Sequence, residues 1–326
     1  MPVLRQNIIT EDYSIIAPER AKRPRDYVRT RPPKMPVENC PFCPKGEALK
    51  TIIKKASSKN VFIIPNKYPV FTMEKKVIFQ ASDIYFSTNS VGGHDVIIFK
   101  DHFKDFSELK PSLIEEILEV YQKRISYYYQ DPDIEYVLVI HNHGPESGAT
   151  AAHPHSQLFA SSVIPTNILK ELEGAKNYFN KHGNCVFCDI LKEEKKQRSR
   201  LVVENSDFIA FAAFAPRFPF ETWILPKDHL SHFEDIRKSK RRSLAKVLHQ
   251  LLSALDLKLG NPGYNLFIHS LPPDILAGHK FYHFHLEITP RMSFWGGFEL
   301  GAGIPIDVVA PEKAALFLRK KQRIRS

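Results

Sequence analysis

The sequence predicts an α+β protein made of two tandem repeats, each an antiparallel sheet with a long helix packed on one face. Three observations carry this. Two Cys-x-x-Cys pairs, Cys40-Pro-Phe-Cys43 and Cys185-Val-Phe-Cys188, stand ahead of two His-x-His pairs, His153-Pro-His155 and His283-Phe-His285. One order of features (Cys-x-x-Cys, strand, Asp-His, helix, strand, His-x-His) runs through the chain twice, and self-similarity on this scale marks a duplicated unit. Short apolar, strand-like runs alternate with two longer stretches of helical periodicity. The repeats are expected to occupy residues 1–175 and 176–326 and to form one continuous unit.

Taken in order, Ile8–Ile16 gives two short strand-like runs. Ala17-Pro-Glu-Arg-Ala-Lys-Arg-Pro24 gathers Arg20, Lys22 and Arg23 in a Pro-bounded loop, either a phosphate clamp or simply a basic loop. Val61-Phe-Ile-Ile-Pro65 is an apolar strand, with Asn66-Lys-Tyr-Pro69 as the turn after it. Gly92-Gly-His-Asp-Val-Ile-Ile-Phe99 is another, ending at Lys100-Asp-His102. A helix spans Lys110–Gln130, opened by Pro111, whose missing N–H costs nothing in a first turn. Tyr136–Ile140 is a buried strand, and Asn167–His182 is a helix leading to the second cysteine pair. In the second half Phe208–Ala212 echoes Val61–Ile64, and Thr222–His229 echoes Val96–His102. Arg242–Leu259 repeats the helix, and Tyr264–His269 echoes Tyr136–His141.

A chain of 326 residues can bury one large or two medium cores. Hydrophobic and charged fractions of 43% and 25% are ordinary for a soluble globular protein. No run approaches membrane-spanning length and the N-terminus has no apolar signal core, so a cytoplasmic chain without a membrane partner is expected. Net charge of +10 and a pI near 9.3 suit anionic ligands. Runs such as Lys192–Arg200 and Arg237–Arg242 read as solvated faces and choose no partner.

The four cysteines leave none unpaired in the pattern. Without a secretory context, Cys-x-x-Cys points to zinc or redox chemistry rather than disulfides. A redox pair would sit inside a βαβ unit; here each pair heads a long segment ending in His-x-His, which favours zinc. Structural zinc takes four Cys and His ligands in a tetrahedron. One set is Cys40, Cys43, His102 and a histidine of the first His-x-His; the other is Cys185, Cys188, His229 and His283 or His285. Two zinc ions per chain are expected. Lone histidines, His94 among them, read as surface or satisfied core residues.

The chemistry lies between His141 and Gln157. Alternation along an extended segment lets His153 and His155 project to one side. Gly144, Ser147, Gly148 and Ala149 are small enough to let a phosphate approach the backbone. A histidine beside such a cradle is placed to attack phosphorus; the competing readings are two metal ligands or a polar strand end. Copy two has Phe284 and Leu286 in place of Pro154 and Ser156, and no Gln follows, so its pair reads as structural. A zinc-ribbon nucleic-acid binder would interleave aromatic platforms with basic residues. Neither cysteine pair has them, and no nucleic-acid partner is expected.

Asn142-x-Gly, Ser147-Gly and His153-Pro-His-Ser-Gln157 resemble the active-site signature of galactose-1-phosphate uridylyltransferases, in the histidine-triad superfamily. Ala17–Pro24, Cys40-Pro-Phe-Cys43, Asp101-His102 and Gly297-Phe-Glu299 also fall where that family has counterparts, so the resemblance covers nearly the whole chain. It implies two histidine-triad-like repeats, a homodimer, and ping-pong transfer through a nucleotidyl-histidine, with a nucleotide sugar and a hexose 1-phosphate as substrates. It implies His155 as nucleophile, Gln157 on the phosphoryl oxygens, and Cys40, Cys43, His102 and His153 on zinc. By the repeat, His283 completes the second set. Arg20, Arg23, Asn66, Asn142, Ser147, Gly148 and Glu299 would serve the nucleotide sugar.

A UDP-glucose–hexose-1-phosphate uridylyltransferase is the first reading. Its best-known members carry a polar hexose-binding residue several positions after Gly-Tyr-Glu, whereas this chain reads Gly297-Phe-Glu-Leu-Gly-Ala-Gly-Ile-Pro305. A plant-type branch that transfers adenylyl groups from ADP-glucose shares the Gly-Phe-Glu form and the second cysteine pair. An ADP-glucose phosphorylase type is therefore the alternative.

Overall fold

The structure, a computed structural model, describes residues 1–22, 36–44, 46–73 and 79–319. The strands are β1 (Val3–Gln6), β2 (Tyr13–Ile16), β3 (Val61–Pro65), β4 (Phe79–Ala81), β5 (Phe86–Thr88), β6 (Gly92–Phe99) and β7 (Tyr136–His143). They continue with β8 (His155–Ser161), β9 (Leu201–Glu204), β10 (Phe208–Ala212), β11 (Thr222–Pro226), β12 (Tyr264–His269), β13 (His285–Pro290) and β14 (Ile306–Asp307). The helices are α1 (Pro111–Tyr128), α2 (Thr166–His182), α3 (Val186–Gln197), α4 (Lys238–Leu259), α5 (Gly297–Ala302) and α6 (Pro311–Arg319).

Nine strands form one antiparallel sheet in the order β3-β6-β8-β7-β12-β13-β11-β10-β9. The first four come from the first repeat and the rest from the second. The repeats meet at β7 and β12, where Ile140 pairs with Phe267 and Asn142 with Asn265. The two repeats thus share backbone hydrogen bonds as well as a core. A smaller sheet, β1-β2-β14, ties the N-terminus to the segment after α5.

Alternation sorts the strand residues onto two faces. Ile63, Ile97, Leu158 and Val139 of the first repeat and Ala210, Ile224, Leu266 and Ile288 of the second point one way. There they meet Ile117, Leu118 and Tyr121 of α1 and Leu244, Leu248 and Leu251 of α4, in a single core. Each such Leu or Ile contributes about 1.5–3 kcal/mol by leaving water. The opposite face is covered in pieces. Ile168, Leu172, Val186 and Phe187 of α2 and α3 pack on Ile209, Trp223 and Leu225. Phe42, Leu49 and Ile52, from the first cysteine loop, pack on Ile64, Val96 and Ile98. His155 and Gln157 of β8 lie on this same face, paired with Ile98 and Val96.

Helix ends follow local rules. Pro111 opens α1, and Gly183 and Gly260 close α2 and α4 at φ of 73° and 72°. The second long helix starts earlier than its apolar period indicates, at Lys238. Its basic first turn is docked on α1, with Arg241 on Glu119 at 2.8 Å and Arg242 on Glu115 at 3.1 Å. What read as a solvated charge run is therefore half a helix–helix contact. The Ile8–Ile16 region also differs: Ile9 and Thr10 turn over the Asn7 side chain, which accepts the Ile9 N–H at 2.8 Å, and the strands lie to either side.

Candidate active site and metal-ligand sets

Four ligand atoms converge where the first cysteine loop crosses β8. Cys43 Sγ lies 3.1 Å from His102 Nδ1, Cys40 Sγ lies 3.4 Å from His153 Nδ1, and the two Nδ1 atoms are 3.1 Å apart. A zinc tetrahedron with bonds of about 2.0–2.3 Å has edges of about 3.3–3.8 Å, so the spacing fits a metal. The outer nitrogen of His153 donates to the Phe99 carbonyl at 2.6 Å, which fixes Nδ1 as the ligand atom. Of the first His-x-His pair, the structure brings His153 and not His155 into this set.

The second set repeats the arrangement with Cys185, Cys188, His229 and His283. Cys188 Sγ is 3.2 Å from His229 Nδ1 and 3.8 Å from His283 Nδ1. The outer nitrogens donate to the carbonyls of His279 and Pro226. This set is more open, since His229 is exposed and Cys188 half-buried. Both sets could hold a metal ion.

His155 opens β8 and stands outside the first set. Its Nδ1 lies 2.9 Å from the His153 carbonyl. A carbonyl only accepts, so Nδ1 carries the proton and Nε2 keeps its lone pair. The ring is 7% exposed, and burial lowers its pKa below the ordinary histidine value, favouring the neutral form. Phe42, between the two cysteines, packs on it at 5.3 Å. Gln157 lies two residues on along β8, and Asn142 on β7 continues the pairing that sets His141 beside Ser156.

The glycine loop closes over this strand end. Gly144 and Gly148 have φ of 77° and 87°, values that side-chain-bearing residues rarely adopt. Asn265 of the second repeat ties the loop down, donating to Asn142 Oδ1 at 2.7 Å and the Ser147 carbonyl at 2.8 Å. The backbone N–H groups of Ser147 and Gly148, however, donate to Gly144 and Pro145 carbonyls inside the turn. They are not aimed outward as a phosphate cradle would have them.

Beneath β8, on the helix side of the sheet, a buried chain of polar groups ties this strand to α1 and β7. Tyr121 and Ser156 share a short hydrogen bond, Ser156 Oγ meets His141 Nδ1 at 3.0 Å, and Asp105 accepts from His141 at 3.0 Å and His143 at 2.6 Å. Burial works to raise the Asp105 carboxyl, but the two histidines outweigh it and hold it well below the usual range.

The second repeat keeps the backbone and replaces the chemistry. His285 Nδ1 lies 3.1 Å from the His283 carbonyl, and Phe187 packs on its ring at 5.0 Å. The residue two positions on is Glu287, bound to Arg217, which also holds Glu221 at 2.9 Å. Among the described residues, His285 Nε2 is buried without a hydrogen-bond partner, 3.7 Å from Glu171 and 3.8 Å from Glu287. Strand register also corrects one equivalence. His269 pairs with His285, whereas His141 pairs with Ser156, so His269 corresponds to Asn142. His269 therefore faces the cleft side and bonds Glu171, while His141 faces the helices.

Asn66 lies beside this site, with its amide nitrogen 3.1 Å from His94. Arg20 sits half-buried in a short turn of helix, Pro18–Lys22, with no contact to His155 among the described residues. Arg23 lies outside the described residues. Glu299 caps α5, accepting from Gly296 N at 3.0 Å, and the chain does not bring it to His155. Sequence reasoning missed His94, which bonds Gln157 at 2.8 Å, and Phe42. The available signals were the alternation of His94 with Val96 and Ile98, and the Phe shared by both cysteine pairs.

Comparison with known proteins finds matches to both halves of the chain. Residues 1–165 match the galactose-1-phosphate uridyl transferase N-terminal domain, and residues 171–304 match its C-terminal domain. An ADP-glucose phosphorylase of Arabidopsis thaliana is 34% identical over 330 residues, covering 98% of this chain and 93% of the relative. A galactose-1-phosphate uridylyltransferase of Thermotoga maritima is 25% identical over 331 residues, covering 99% of each. The crystal structure of an ADP-glucose phosphorylase from Arabidopsis thaliana with bound ADP-glucose aligns with a TM-score of 0.84 at 32% identity, covering 99% of this chain and 100% of that one. A uridylyltransferase structure aligns with a TM-score of 0.77 at 27% identity, covering 98% and 97%.

Proposed function

We propose, from the premise that the chain belongs to the galactose-1-phosphate uridyl transferase family, that it transfers a nucleotidyl group from a nucleoside diphosphate sugar by way of His155. The observation that carries this is the hydrogen bond from His155 Nδ1 to the His153 carbonyl. It leaves Nε2 bare and neutral beside Gln157. Nε2 attacks the α-phosphorus, an N–P bond forms, and the bond to the bridging oxygen breaks to release sugar 1-phosphate. The positive charge that develops on the ring is met by the same carbonyl. Gln157 donates to a non-bridging oxygen as charge moves onto it. In the second half-reaction an oxygen of the acceptor phosphate attacks phosphorus and returns the lone pair to Nε2.

The supporting residues take proposed roles. Asn66 and Asn142 line the strand ends next to His155. Ser147 and Gly148 shape the loop that lets substrate approach. Arg20, Arg23 and Glu299 engage the nucleotide sugar in the assembled enzyme, a homodimer. Residues 1–175 act as the catalytic repeat and 176–326 as its brace. Each four-ligand set holds one zinc ion, giving two per chain, and at the first set the metal would clamp the Phe42 loop against His155.

Two donors are supported by separate observations. Uridylyl transfer between UDP-glucose and galactose 1-phosphate is supported by the family match and by relatives of that activity. Adenylyl transfer from ADP-glucose is supported by the 34% relative and by the neighbour holding ADP-glucose. The test is intact-mass spectrometry after incubation with UDP-glucose or ADP-glucose alone, since the mass gained identifies the nucleotide. The adduct should be acid-labile and alkali-stable, and absent from His155→Asn. Label on Ser156, or on the His155→Asn protein, would sink the mechanism.

A further inference from the structure

His94 lies outside every role assigned so far, yet it is 7% exposed and reaches directly into the site. Its ring stacks on Phe159 with centroids 4.1 Å apart. Its Nδ1 receives the Val70 N–H at 3.4 Å, and its Nε2 lies 2.8 Å from Gln157 Oε1. A backbone N–H can only donate, so Nδ1 is the bare nitrogen and a neutral ring carries its proton on Nε2. Burial lowers the pKa of His94, which keeps the ring in that neutral form.

We propose that His94 is a positioning residue for nucleotidyl transfer. Its Nε2–H holds the carbonyl oxygen of Gln157, and this turns the Gln157 amide nitrogen toward the reacting phosphoryl group. Flipping that amide would set N–H against N–H and lose the bond. Asn66 turns its carbonyl oxygen to the Tyr68 N–H at 2.9 Å, and its amide nitrogen lies 3.1 Å from the same Nε2, whose one proton goes to the nearer oxygen of Gln157. The second repeat has lost this device. By the strand pairings, Glu221 stands in the place of His94 and Glu287 in that of Gln157.

The proposal rests on the reading of Gln157 as a phosphoryl donor, and the experiment separates the two. Single-turnover incorporation of α-labelled nucleotide from the nucleotide sugar is followed in four proteins: wild type, His94→Phe, Gln157→Ala and the double variant. Phe keeps the stack on Phe159 and removes both nitrogens. The His94→Phe rate should fall about 10- to 100-fold, with donor affinity little changed. His94→Gln, which returns an amide donor near Nε2, should restore most of it. In the Gln157→Ala background His94→Phe should cost nothing further, because both act through one contact. Additive losses in that cycle would overturn the proposal, as would a fast His94→Phe beside a slow Gln157→Ala. A fast Gln157→Ala would overturn this proposal and the role of Gln157 together. Should His94→Phe fail to fold, His94→Asn, whose amide is too short to reach Gln157, takes its place in the cycle.

Discussion

Replacing Glu234 by Gln is expected to stabilise the protein near pH 8 and to change little near pH 5. Glu234 lies in the segment between β11 and α4, where Gln122 of α1 donates to the Phe233, Glu234 and Ile236 carbonyls. Its carboxylate accepts from Ser270 Oγ at 2.8 Å. Burial pushes its pKa up to about 7 from an ordinary 4.5. Between those values the folded protein keeps a proton that the unfolded chain releases. Stability therefore falls as pH rises through that window and levels off above it. At about 1.4 kcal/mol per pH unit, the gap is worth about 3 kcal/mol. Gln keeps an acceptor for Ser270 and has no proton to lose. Urea unfolding followed by tryptophan fluorescence, with zinc present throughout, should show the variant's advantage growing from under about 1 kcal/mol at pH 5 toward that value at pH 8. An advantage independent of pH would refute the reasoning.

Three further outcomes follow from the packing and the ligand sets. Protein purified without chelator should contain about two zinc ions per chain, and His153→Asn should lose one of them together with stability, whereas His155→Asn should keep both; elemental analysis decides. Arg217→Met strands Glu221 and Glu287 as buried carboxylates without their cation, and should cost about 3–5 kcal/mol in chemical denaturation. Light scattering should give the mass of a homodimer, and a monomer at working concentration would remove the partner from the proposed site.

Much of this architecture was legible because the duplication wrote each element twice. Cys-x-x-Cys, Asp-His and His-x-His recur in order, and the first ligand set follows once His153 is chosen over His155. The resemblance supplied that choice; its geometric counterpart, the Phe99 carbonyl that pins the outer nitrogen of His153, lies beyond any spacing rule. Hidden features depend on register or on partners distant in sequence. His269 looked like the counterpart of His141 because both end a strand after similar apolar runs. Pairing shifts the match by one residue and reverses the face. His94 looked like a satisfied core histidine, and it is satisfied; its partner being Gln157 could not be read without strand order. Arg237–Arg242 read as a solvated run because the acidic partners of Arg241 and Arg242 lie more than a hundred residues earlier, on α1. Likewise α3 escaped notice because its polar face carries most of a charge run.

The pairing of Ile140 with Phe267 has one more consequence. By the ligand matches, β7 and β12 are counterparts, and these two residues are counterparts within them. The join is thus an isologous contact, with a local twofold axis passing between Ile140 and Phe267, of the kind found where two identical subunits meet. In a true symmetric dimer any substitution is made twice, so a glutamate at the position of Gln157 would disable both halves at once. Carried on a single chain, the halves vary independently. Glu287 and Arg217 can settle in one while Gln157 and His155 stay in the other. The covalent link gives the two halves freedom to diverge, and Asn265, reaching across to Asn142 and Ser147, is one use the second half makes of it.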